Sequence, residues 1–183
     1  MKTIHTIGDS HSVRGFNRIP DVVIHYRGAQ TMYRFGMNKE NVVTDIPKED
    51  IVLYVMGEID CRVHIHKHQP WKENIEMIVH NYLETIRFNN HPNSWIYSIV
   101  PSVKAELMIE DPECPFIGSN EERRDHVLYM NTLLKQSEFP FVDVWGRYAD
   151  EEGFMIYDLS DHHVHIEDKT FLEQLLNDMR GGM

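Results

Sequence analysis

Short apolar runs rich in β-branched and aromatic residues alternate along this chain with longer segments whose apolar residues recur every three or four positions. No other feature constrains the fold as much. The runs at 2–7, 22–24, 51–56, 95–100 and 141–144 read as buried strands. Trp71, Ile75, Ile78, Val79, Tyr82, Leu83 and Ile86 fall on one face of a helix about four turns long. Ser119-Asn120-Glu121-Glu122 is a capping-box pattern and predicts a second helix, running through Val127, Leu128, Leu133 and Leu134. Phe171, Leu172, Leu175, Leu176 and Met179 mark a third, ahead of Gly181-Gly182. Strand and helix in alternation predict an α/β fold: a mainly parallel central sheet of about five strands, covered by helices on both faces as a three-layer sandwich. Ligands of such sheets bind at the carboxyl ends of the strands.

Composition bounds what the fold can do. With 183 residues, 42% of them hydrophobic, the chain can bury one sizeable core, so a single domain over 1–183 is expected. Asp and Glu outnumber Lys and Arg 29 to 18, for a net charge of −11, which argues against a nucleic-acid or anionic-membrane partner. The longest strongly apolar run, 51–56, is too short to span a bilayer, and residues 1–5 lack the apolar region of a signal peptide. A soluble, cytoplasmic protein is expected. Cys61 and Cys114 are read as free thiols, and no cofactor is implied.

Four stretches share an address at the carboxyl edge of such a sheet. Gly8-Asp9-Ser10-His11-Ser12 follows the first strand, where a serine on a turn would present its hydroxyl beside free backbone N–H groups. Asp9 and Ser10 also suit a plain helix cap. Gly28 follows the second strand and residues 57–62 the third. A serine nucleophile needs a base, and 158–166 offers His162, His163 and His165 after Asp161, none of them three residues on. His64-Ile65-His66-Lys67-His68 would align three imidazoles on one face of a strand, as zinc could use; its polar setting reads instead as a solvated loop, and no metal is expected. Residues 108–118, with Pro112 and Pro115, read as a loop that borders the pocket or merely connects.

In this order the stretches resemble the four sequence blocks of the SGNH, or GDSL-type, hydrolases, and in particular a subgroup with Gly-Asp-Ser-His-Ser and Gly-Glu-Ile-Asp-Cys-Arg. The resemblance implies a flavodoxin-like fold, Ser10 as nucleophile, and the Ser10 and Gly28 N–H groups as oxyanion donors. It implies His165 as the base, since aspartate, three residues, histidine and an aliphatic residue match Asp161 to Ile166, with Asp161 orienting the ring and His163 as runner-up. The third block departs from the family. Gly57-Glu58-Ile59-Asp60 carries isoleucine where an asparagine amide would be the third oxyanion donor. Arg62 would fill that space or hold an anionic group on the substrate, unless it pairs with Glu58 or Asp60. Asp9, Asp60, Arg62 and His64 are the substrate-binding candidates. The function implied is a serine esterase acting on small acyl esters, above all O-acetyl groups on a carbohydrate. The alternatives are an O-acyltransferase with the same triad, or a weakly active or non-catalytic carbohydrate-binding or structural module. Trp71, Trp95 and Trp145 offer a sugar-stacking platform, though Trp71 and Trp95 sit on core patterns.

Overall fold

The computed structural model describes residues 2–108, 112 and 114–181. Five parallel strands form one sheet: β1 (Ile4–Gly8), β2 (Val22–Tyr26), β3 (Ile51–Val55), β4 (Ser94–Tyr97) and β5 (Phe141–Val142), in the order β2-β1-β3-β4-β5. The chain leaves β1 towards one edge to build β2, then crosses to the other side to build β3. The order therefore reverses at β1, and a crevice opens between the carboxyl ends of β1 and β3. In register, Gly8 stands beside both Tyr26 and Val55, so the segments after all three strands emerge together.

Side chains alternate across the sheet with the period of two that a pleated strand imposes. Ile7, Val52, Tyr54 and Ile96 face a core shared with the helices α1 (Met32–Asn38), α2 (Trp71–Asn89) and α3 (Asn120–Lys135). Ile4, Leu53, Val55, Tyr97 and Val142 face the other, which is closed by Phe16, by Tyr148 of the short α4 (Trp145–Tyr148) and by Leu172, Leu176 and Met179 of α5 (Lys169–Gly181). This is the expected three-layer α/β sandwich. Among the described residues, no helix is long and apolar enough to cross a membrane.

The predicted helices correspond to α2, α3 and α5, and the capping box at Ser119 is present in both directions, with Ser119 Oγ accepting from Glu122 N and Glu122 Oε2 accepting from Ser119 N. Leu128 departs from its expected face: it is 41% exposed, and Arg123, His126 and Met130 are buried instead. The β4 ladder stops short of the run to Val100: Ser98 N still donates to Val142 O, and then the Asn131 side chain takes over, accepting from Ile99 N and donating to Ile99 O. Residues 64–68 are neither strand nor loop. A π turn at 60–64 runs into a 3-10 turn at 65–67, and Ile65 is fully buried.

Candidate active site

The turn that carries Ser10 is braced before any catalytic role is considered. Gly8 has no room for a side chain, since a Cβ there would lie 1.8 Å from the carbonyl oxygen of Val55. Asp9 follows in extended conformation, and its Oδ1 accepts from His11 N at 2.8 Å, which caps the 3-10 turn Ser10–Ser12. Ser12 Oγ donates back to Asp9 O, and Thr6 Oγ1 donates to Ser12 O. The cap reading of this pentapeptide thus applies to Asp9, and it leaves the Ser10 hydroxyl free.

That hydroxyl meets a loop from the far end of the chain. Ser10 Oγ lies 2.8 Å from His165 Nε2, and His165 Nδ1 lies 2.8 Å from Asp161 Oδ2. A carboxylate oxygen can only accept, so Nδ1 carries the ring proton and Nε2 is the acceptor for the serine proton. Asp161 also shapes the loop. Its Oδ1 accepts the backbone N–H groups of His163 and His165 while its own N–H donates to His165 O. His162 takes the left-handed conformation, φ 58°, and the loop is closed by an antiparallel bridge between Ser160 and Ile166. The extra residue between Asp161 and His165 is absorbed in this turn. His162 is exposed, and the ring of His163 stacks on His165 at 5.8 Å, so neither replaces His165 beside Ser10.

Electrostatics keep the His165 ring neutral. Burial, followed by the nearby His11 ring, pushes its pKa down to about 4 against the opposing pull of Asp161. Asp161 is itself held below the usual carboxylate range: burial opposes its charge, but the ring N–H of His165 and the backbone N–H groups of His165 and His163 outweigh it.

Gly28 sits on the loop after β2 with φ +70°, and nothing lies within 4 Å of where its Cβ would be, so its backbone borders open space. Among the described residues, the N–H groups of Ser10 and Gly28 have no backbone acceptor. Beside Gly28 lies a polar groove lined by Arg27, Gln30, Arg34, Asn38 and Glu40.

The substrate-binding candidates are placed differently from expectation. Arg62 is buried and forms a fork-to-fork pair with Glu58, Nε to Oε1 at 2.7 Å and Nη2 to Oε2 at 3.0 Å, while Nη1 donates to Cys114 O. Its donors are thus directed at protein partners rather than at the space left by the missing amide at Ile59. Asp60 is wholly buried and caps α1, accepting from Met32 N at 2.6 Å and Tyr33 N at 3.1 Å. Burial pushes its carboxyl up to about 7 despite those donors. Asp9 is fully buried in the turn. His64 packs on Tyr33 and His68 and takes no part in the Ser10–His165 line. Among the described residues, no group of three or more His, Cys, Asp or Glu is arranged to hold a metal; His64 pairs with His68, and His66 with His126. Of the 108–118 stretch, residues 109–111 and 113 lie outside the described residues; Cys114 O and Ile117 N bond to Arg62, tying the rest to the π turn.

Two neighbours of the site escaped the sequence reading. His11 and Glu58 are both buried beside it. A histidine directly after the serine was the one available signal, and nothing in the pattern distinguished it from eleven others.

No family model matches the sequence, and no curated protein matches it significantly. Solved structures do match in fold. A GDSL-like lipase from Bacteroides thetaiotaomicron superposes with a TM-score of 0.66 at 15% identity, over 97% of this chain and 87% of that one. The acetyl xylan esterase AlAXEase gives 0.55 at 12% identity, covering 99% of both chains. The C-terminal domain of the Drosophila Oskar protein gives 0.60 at 10% identity, over 95% and 85%. The parallel five-stranded sheet with helices on both sides is therefore a fold that this chain shares with GDSL-type hydrolase structures.

Proposed function

We propose that the protein is a serine ester hydrolase of the SGNH type, acting on small acyl esters, most naturally O-acetyl groups of a carbohydrate. The observation that carries this reading is the line Ser10 Oγ, His165 Nε2, His165 Nδ1, Asp161 Oδ2, with both contacts at 2.8 Å. Residues 155 positions apart meet there in the order that acyl transfer requires. The structural likeness to a GDSL-like lipase and an acetyl xylan esterase supports the same class.

In this mechanism His165 Nε2 takes the Ser10 proton as Oγ attacks the ester carbonyl. The N–H groups of Ser10 and Gly28 receive the oxyanion, and the alcohol leaves with the proton from His165. Water then attacks the acyl-serine with His165 again as base, and releases the acid. With isoleucine at 59 the oxyanion hole has two donors, and the absent third costs on the order of 10²–10³ in rate. The polar groove beside Gly28 suits a hydroxyl-rich substrate, because sugar hydroxyls can exchange water for Arg27, Gln30 and Asn38.

Hydrolysis of 4-nitrophenyl acetate and of an acetylated oligosaccharide by the wild type, Ser10→Ala and His165→Ala tests the reading. Each substitution is expected to lower kcat by at least ~10³-fold. Equal rates in all three proteins would contradict it.

A further inference from the structure

His11 is buried next to the nucleophile, and both of its ring nitrogens face acceptors. Nδ1 lies 3.1 Å from Asp9 Oδ1, and Nε2 lies 3.1 Å from the carbonyl oxygen of Val164. A neutral imidazole has one ring proton and would aim a lone pair at one of these oxygens. With Asp9 ionised, satisfying both requires the imidazolium. Asp9 points the same way: its side chain is fully buried, its Oδ2 has no partner, and His11 Nδ1 lies within ion-pair distance of its Oδ1. The His11 ring then stands 4.6 Å from the ring of His165, centroid to centroid.

His11 is faced by Asp9 from its own turn, by the Val164 carbonyl and His165 from the C-terminal loop, and by Glu58 and Tyr97 across a small cavity that they line with it. Glu58 is already paired with Arg62. His165 is faced by Asp161, Ser10, His163 and His11, and the Glu58 carboxylate acts on it from the segment after β3 in the direction opposite to His11.

We propose that His11 is a positioning residue for His165: as a cation through the neutral range, it pins the peptide carbonyl just before His165 and holds the His165 ring in its neutral, proton-accepting form. The inference rests on the reading of His165 as the base. A like charge close by disfavours a second positive ring. The acid–base groups shift accordingly. Burial opposes charge on His11, yet Asp9 and Glu58 raise its pKa, while that of His165 falls. The proton still moves from Ser10 Oγ to His165 Nε2 and on to the leaving oxygen. A ring that holds the proton weakly gives it up readily to the departing alkoxide and remains free to act in mildly acidic conditions.

Long-range ¹H–¹⁵N spectra of the imidazole nitrogens, recorded from pH 4 to 9 on the wild type and on His11→Gln, read this directly. At pH 7 the wild type is expected to show two protonated nitrogens on His11, with His165 titrating well below 6.5. In His11→Gln the His165 midpoint should rise by about one pH unit. The acid limb of kcat on 4-nitrophenyl acetate should rise with it, so that the variant is about twofold slower than wild type at pH 5 and about fivefold slower at pH 4, with KM little changed. A single ring proton on His11 at pH 7 overturns the inference. So does an unchanged His165 midpoint. The wild-type spectra stand even if the variant fails to fold. Absence of hydrolysis by either protein would sink the esterase reading alone, because the spectra test His11 without it.

Discussion

Ser10, His165 and Asp161 differ in how they are held. Ser10 is fixed by its turn, whose hydrogen bonds are local: Asp9 to His11, Ser12 to Asp9, Thr6 to Ser12. His165 is fixed by one side chain, since Asp161 holds both its ring and its backbone. Asp161→Asn should therefore do more than remove a charge. It leaves one acceptor oxygen where two are used, so kcat is expected to fall on the order of 10³–10⁴-fold while Ser10 remains in place. The pH profile follows from the base. With a pKa of about 4, His165 stays neutral as the pH drops below 6.5, so the acid limb of kcat/KM in the wild type should lie nearer pH 4 than pH 6.5. A limb at 6.5 or above would show an unperturbed ring. These residues were legible because each follows a strand end or precedes the last helix. His11 and Glu58 were not, because their roles come from burial against partners more than forty residues away in sequence, such as Val164 and His11 themselves.

Helices differ in where their caps come from, and this decided which were visible in the sequence. α3 carries its own capping box, and Ser119→Ala should cost about 1 kcal/mol, or roughly 2–4 °C in Tm. α1 escaped notice because it is only seven residues long and its first N–H groups are taken by Asp60, from a segment after β3, alongside its own Thr31. Asp60→Ala is expected to cost about 2 kcal/mol in a urea titration, because two N–H groups lose a buried acceptor. If Asp60 acted mainly on substrate, KM would change and stability would not. Period-two and period-3.6 patterns reported strands and long helices well. They failed at 64–68, where alternating histidines mimic a strand and the backbone is helical as far as Lys67, because burial of Ile65 and packing of His66 on His126 decide its shape.

At the scale of the whole molecule, several titrating groups are buried at or near the sheet's carboxyl edge, and they give stability a pH dependence. His165 and His126 both have folded pKa values of about 4, below the ordinary 6.5, chiefly through burial. Between pH 6.5 and 4 the unfolded chain binds protons that these two sites refuse, so stability falls on acidification through that window. Asp60 acts in the opposite sense. Its folded value of about 7 exceeds the ordinary 3.8, so its contribution is present at low pH and is lost as the pH rises through 7. His11, whose pKa is raised, acts in the same sense as Asp60, but the five lowered histidines, His165 and His126 with His25, His64 and His66, outweigh them. The urea midpoint is therefore expected to be lower at pH 5 than at pH 6.5, and a higher midpoint at pH 5 would contradict the burial of these rings. The reversal of strand order at β1 gathers the sites on one edge, and that much was legible from the alternation of elements.

Ser10, activated by His165, is the proposed nucleophile. The most direct measurement is the intact mass of the protein after reaction with a fluorophosphonate at pH 7, with the adduct mapped by peptide sequencing. One adduct is expected, on Ser10, formed much more slowly in His165→Ala and not at all in Ser10→Ala. An unmodified chain, or an adduct on any other residue, would contradict it.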